Sequence, residues 1–145
     1  GREQVQSCAA EAQGITVKEQ PYGYEVILPH LMPKRNYRNH TVFLLEPLTY
    51  ALKEFTAVHP ICRLEYALIW FIYEYTEDTP IHCIRDYDNI ETKEVLDIIN
   101  SFFLLDDGGA FCELHYSTRR GNRTCTRVII SSDIGLVSCQ KINGN

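Results

Sequence analysis

The sequence predicts a small mixed α/β (α+β) domain: a mixed β-sheet with helices packed on it, closed by a C-terminal β-hairpin. Three observations predict it. Residues 64–75 (LEYALIWFIYEY) are rich in β-branched and aromatic side chains and apolar on both faces, as a covered central strand must be. Leu48, Leu52 and Phe55, and again Val95, Ile99, Phe102 and Phe103, recur at helical spacing. Short extended stretches bounded by Pro, Gly, Asn and Asp surround these segments, and such an alternation builds a layered domain.

In chain order, residues 1–20 are polar and weakly patterned. They are expected to form an N-terminal arm, with a short helix over residues 4–13. Pro21-Tyr22-Gly23 signals a turn, and residues 24–28 read as a strand that Pro29 and Pro33 end. Pro47 suits the first turn of a helix running to Val58, which His59-Pro60 stops. The central strand then leads through a polar turn at 76–80 to a short extended piece at 81–84. Asp88, with Glu91 three residues on, has the spacing of a capping box for the second helix. Cys112, Leu114 and Tyr116 alternate with polar residues, Gly121-Asn122 marks a turn, and residues 124–131 return. That pair is the expected hairpin. One domain over residues 21–132 results, with a tail at 133–145.

Composition narrows the class. The chain has 145 residues, 45% of them hydrophobic and 23% charged, enough to bury a core without staples. No apolar run approaches the ~18–20 residues that span a bilayer, and residues 1–12 lack the apolar centre of a secretory signal. A cytoplasmic protein with no membrane partner is expected. The cysteines (Cys8, Cys62, Cys83, Cys112, Cys125, Cys139) form no C-x-x-C pair, so free thiols are expected and a structural zinc is not. Five histidines lie scattered without zinc spacing. No phosphate-cradling glycine loop or nucleophile elbow is present. Trp70 and the tyrosines of the central strand read as core, not as a base-stacking platform.

The net charge of -5 disfavours nucleic acid as a partner, but its distribution does not. Arg119, Arg120, Arg123 and Arg127 crowd one stretch free of acids, and Lys34, Arg35 and Arg38 form a second basic group. Guanidinium groups offer a planar fork of donors to phosphate. The acids concentrate between the two.

Among those acids, Asp86 and Asp88 share a face if their segment is extended. Asp106 and Asp107 lie just past the helix that follows. Three converging carboxylates repel one another unless a cation neutralises them. An all-oxygen site of that kind suits Mg²⁺ or Mn²⁺. The same residues also read as a helix cap at Asp88 and an Asp-Asp-Gly-Gly turn, and spacing alone leaves both readings open.

One stretch carries a resemblance. Arg85-Asp86-Tyr87-Asp88-Asn89-Ile90, then Lys93 and Val95-Leu96-Asp97, then Leu105-Asp106-Asp107, resembles the signature of the RusA-type Holliday junction resolvases. The likeness covers roughly residues 24–131, with its specificity in residues 85–107. It implies a RusA-like fold and a Mg²⁺-dependent homodimer that cuts branched DNA in recombination and repair. Asp86, Asp88 and Asp107 would be the metal-binding catalytic acids, and Lys93 would stabilise phosphate charge or orient the attacking water. Arg85, Arg119, Arg120, Arg123, Lys34, Arg35 and Arg38 would contact DNA. The chain departs from the pattern in two places: Thr92 stands where the family has its lysine, with Lys93 following, and Gly108-Gly109 follows Asp107 where the family has a polar residue and an apolar one. The displaced lysine and the net acidity suggest an alternative, a catalytically inactive resolvase-like module of a mobile element that binds DNA or protein.

Overall fold

The structure is a computed structural model and describes residues 10–12, 14–32, 42–85, 90, 92–105 and 112–132. Its elements, in order, are β1 (Ala10–Ala12), β2 (Ile15–Gln20), β3 (Gly23–Leu28), α1 (Val42–Val58), β4 (Ala67–Thr76), a 3-10 turn at Ile81–Cys83, α2 (Lys93–Phe103), β5 (Cys112–Gly121) and β6 (Cys125–Ser131). The strands form one mixed sheet in the order β1-β2-β3-β6-β4-β5. All pairs are antiparallel except β4 with β5.

The mixed α+β class is as expected, and β4 is an interior, well-covered strand, although it stands next to the edge strand β5 and not at the middle of the sheet. Leu68, Ile69, Phe71 and Tyr73 are at most 1% exposed, on alternating faces of that strand. Ile69, Phe71 and Tyr73 join the main core beneath both helices, where α1 contributes Leu48, Ala51, Leu52 and Phe55 and α2 contributes Val95, Ile99 and Phe103. Each of the Leu, Ile, Val and Phe side chains contributes about 1.5–3 kcal/mol when fully buried. The opposite face carries a smaller cluster of Leu68, Trp70, Ile72 and Ile129, with Tyr22 packed against it.

The expected C-terminal hairpin does not form. β5 and β6 follow one another in sequence, but β4 lies between them. β4 offers a ladder on both edges. β5 takes one in parallel, from Ala67 opposite Cys112 to Thr76 opposite Gly121. β6 takes the other in antiparallel, from Leu68 opposite Ser131 to Glu74 opposite Cys125. A parallel neighbour requires a crossover, and α2 supplies it. The link from Gly121 to Cys125 then bridges two strand spacings, about 10 Å, across the end of β4. A hairpin would have left one edge of the most apolar strand open.

Other boundaries also shift. Ile15–Gln20 is a strand, so the expected arm over residues 1–20 does not extend to it; Ile15 and Val17 sit in the core. Residues 10–12 pair with β2, where a helix was expected. α1 starts at Val42 and not at Pro47, so Pro47 lies inside it and forgoes one helical hydrogen bond. Residues 81–83 form a 3-10 turn and not an extended piece. α2 has Thr92 at its N-cap, not Asp88. The Thr92 hydroxyl makes no cap and instead shares a hydrogen bond of 3.2 Å with the Tyr116 hydroxyl.

Gly23 opens β3 at φ +148°, and a Cβ there would collide with the Ile130 carbonyl of β6. Gly23→Ala is therefore expected to cost about 1–3 kcal/mol, from strain plus a displaced ladder. Urea unfolding checks it, and a change under 0.5 kcal/mol would contradict this close approach.

Candidate functional site

The three aspartates of the sequence signature, Asp86, Asp88 and Asp107, lie outside the described residues, as do Lys34, Arg35 and Arg38. Their flanks are described. The Arg85 backbone N–H donates to the Tyr75 hydroxyl at 3.1 Å, and its guanidinium donates to the Met32 carbonyl at 2.7 Å. At the other flank Leu105 donates its N–H to the Leu64 carbonyl at 2.9 Å. Tyr75 and Leu64 lie toward opposite ends of the β4 segment. The eleven residues of α2 span about 16 Å between the two flanks.

Lys93 opens α2. Its ammonium pairs with Asp97 at 3.0 Å, and the two side chains are 77% and 54% exposed. This is the ordinary i, i+4 pairing that the sequence allows, worth about 0.2–0.5 kcal/mol. Among the described residues no group of three or more His, Cys, Asp or Glu could hold a metal ion.

The arginines expected to hold phosphate are mostly engaged within the sheet. Arg119 reaches Glu74 through Nε and Nη2, both at 3.2 Å. Arg127 donates from Nε to the same Glu74 oxygen at 2.8 Å and from Nη1 to Glu25 at 3.2 Å. Gln20 completes the row, donating to Glu25 at 3.1 Å. The row runs Gln20, Glu25, Arg127, Glu74, Arg119 over β2, β3, β6, β4 and β5, which is their order across the sheet. Arg120 fastens the turn after β4 by donating to the Thr76 and Thr79 carbonyls at 2.9 and 2.6 Å. Arg123 is exposed on the link between β5 and β6.

Glu74 is the centre of this row and only 3% exposed. Burial pushes its carboxyl up, but the hydrogen bonds and charges of Arg127 and Arg119 outweigh that and hold it below the ordinary carboxylate range. Gly121 leaves room for it, since a Cβ there would occupy the place of the Glu74 carboxylate. Tyr22, beside the row, is pushed up to about 12 by burial and then by Glu25. The sequence reading missed Glu74. The available signal was a lone acid inside an otherwise apolar strand, which has to be paired where it is buried.

A second polar group was also missed. Glu113 accepts from the Tyr66 hydroxyl at 2.9 Å and bonds His115 Nε2 at 2.8 Å. These hydrogen bonds, that of His115 first, hold its carboxyl below the usual range. On the same strand face Ser117 accepts a hydrogen bond of 2.7 Å from the Trp70 indole.

No helix among the described residues is long and apolar enough to cross a membrane. No curated protein matches the chain. Two solved structures of the periplasmic domain of Helicobacter pylori MotB are similar. One has a TM-score of 0.46 and 14% identity, covering 93% of this chain and 95% of that one. The other has a TM-score of 0.43 and 11% identity, covering 92% and 91%. At such scores the likeness assigns no function. The family model that matches residues 1–134 is described as a family of unknown function, and the chain belongs to that family, DUF6100.

Proposed function

We propose that the chain is a Mg²⁺-dependent, structure-specific endonuclease of the RusA type, acting on branched DNA as a homodimer. One observation carries the reading: the acids Asp86, Asp88 and Asp107 flank a helix in the order of the resolvase signature, and α2 (Lys93–Phe103) is that helix. In this reading the three carboxylates hold one Mg²⁺ or Mn²⁺ ion. Such an ion, when bound, would supply Lewis-acid activation of a water and charge stabilisation on the scissile phosphate. Arg123, exposed on the link between β5 and β6, would meet backbone phosphates, and Arg85, at the head of the acidic segment, would do so through the donors that its bond to the Met32 carbonyl leaves over. Two copies suit a four-way junction, which needs two cuts.

The test is cleavage of a synthetic four-way junction with and without Mg²⁺. The wild type is expected to cut only with the metal, and Asp86→Asn is expected to lower the rate at least ~100-fold with the fold unchanged by circular dichroism. Equal inertness of both proteins across Mg²⁺ and Mn²⁺ would remove the enzyme reading.

The Lys93–Asp97 pair favours a second reading, a resolvase-like module without catalysis, because it holds the only lysine of the signature on the solvent face of α2. Lys93→Ala separates the two. A catalytic lysine predicts a loss of junction cleavage with stability changed by less than ~0.5 kcal/mol. Unchanged cleavage assigns Lys93 to the helix surface alone. Calorimetric titration with Mn²⁺ completes the comparison, since binding that Asp86→Asn abolishes counts against a module that has lost its metal.

A further inference from the structure

We infer that residues 133–145 dock across the sheet face opposite the helices, with Ile134, Leu136 and Val137 against the cluster of Leu68, Trp70, Ile72 and Ile129. The placement is independent of the nuclease reading. Both helices send their apolar side chains to the main core, on one face of the sheet. On the other face Leu68 stands opposite Ser131, Trp70 opposite Ile129 and Ile72 opposite Arg127. Ile27 of β3 continues that face, opposite Arg127. A sheet face left bare stands in water, and an apolar one has to be covered. Here Leu68 is 0% exposed, Ile27 3%, Ile72 4%, Ile129 6% and the large Trp70 only 7%. Among the described residues, Tyr22 is the one apolar side chain packed against this cluster from outside it. A single tyrosine does not span three strands.

The buried strip is narrow. On β5, His115 stands opposite Trp70 and Glu113 opposite Leu68, and their side chains keep 36% and 42% exposure. On β2, Lys18 stands opposite Glu25 and is half-buried. The strip therefore runs over β3, β6 and β4, about 10 Å across two strand spacings. That is the width of one chain segment, since even a helix with its side chains is about 10–12 Å wide. A second copy stacked on this face would have buried β5 as well.

Chain order selects the segment. Residues 33–41 join Met32, a member of the main core, to α1, and residues 86–89 and 106–111 adjoin α2, so the flanks of all three lie on the helix side. Residues 1–9 lead into β1, four strand spacings or about 19 Å from β4. Val5 is their one large aliphatic side chain. Residues 133–145 instead follow β6, the middle strand of the strip, whose last residue Ser131 pairs with Leu68. They carry Ile134, Leu136, Val137 and Ile142. Their extended reach is about 43 Å, against about 13 Å from Leu68 to Ile72 along β4. Position, apolar content and length all favour this segment over the other end of the chain.

Trp70 is the single tryptophan of the chain, so its fluorescence reads the cover directly. The experiment uses the full chain and no nuclease readout. The wild type is expected to emit as a buried indole and to resist quenching by acrylamide, equally at all protein concentrations. Leu136→Asp is expected to shift the emission to longer wavelength and to raise the quenching, with far-ultraviolet circular dichroism unchanged. Leu136→Ser is expected to move both in the same direction by less, and it carries the test if the aspartate variant fails to fold. Tyr50→Ala, on the exposed face of α1, is expected to leave Trp70 as it is. Emission and quenching that neither Leu136 variant changes overturn the proposal. So does wild-type quenching that rises on dilution, because the cover is then a second copy.

Discussion

Glu74→Ala is expected to destabilise the fold by about 3 kcal/mol, and to do so in a pH-dependent way. Removing one member of a buried ion pair is costly because it leaves the other member desolvated and alone. Arg127 loses the shorter of its two carboxylate contacts, at 2.8 Å, and its side chain is only 21% exposed. Arg119 is 40% exposed and turns to water more cheaply, which keeps the cost at the low end of ~3–5 kcal/mol. Urea titration at pH 7 is the measurement, and a loss below ~1 kcal/mol would mean that the row contributes little. Glu74→Gln keeps the shape and an acceptor, and is expected to recover about half of the loss.

The pH dependence follows from the direction of the Glu74 shift. Its carboxyl titrates lower in the folded chain than in the unfolded one. As pH falls through the ordinary carboxylate range, the unfolded state takes up a proton that the folded state refuses. The contribution is therefore present at neutral pH and lost as pH falls toward the folded value. Wild type is expected to lose stability on acidification more steeply than Glu74→Gln, so the two curves converge in acid. Parallel curves would remove the charge from the explanation.

This row also shows where the sequence stops being legible. Arg127 and Glu25 lie 102 positions apart, and Arg119 and Glu74 lie 45 apart. No local period connects them; only the sheet order does. The same applies to the failed hairpin, because Gly121-Asn122 carries an ordinary turn signal whichever strand lies beyond it. The α1 stripe, the α2 stripe and the doubly apolar β4 were legible, since each is a local pattern of side chains on one backbone period. The 3-10 turn at Ile81–Cys83 was not, because three residues carry no period. At the candidate site the signature residues Asp86, Asp88 and Asp107 are legible as a pattern alone. The setting of Lys93 is legible as geometry: its i, i+4 partner Asp97 is written in the sequence and found in the structure.

Phe55→Ala is expected to cost about 3–5 kcal/mol, as large-to-small changes at fully buried aromatic positions do. Phe55 is 0% exposed and lies on the stripe that docks α1. Its ring meets Tyr24 edge-on, with centroids 5.9 Å apart and planes at 85°. Tyr24 also packs against Phe103 of α2 at 4.9 Å. One tyrosine of β3 thus ties both helices to the sheet. If it does so, Phe55→Ala and Phe103→Ala share a partner and their effects do not add. The double variant is expected to lose at least ~0.5 kcal/mol less than the sum of the singles. Strict additivity would mean that the helices dock independently. Tyr50→Ala serves as the comparison on the same helix: at 57% exposure it is expected to change stability by no more than about 0.5 kcal/mol. A large effect there would mean that the outer face of α1 is covered in solution.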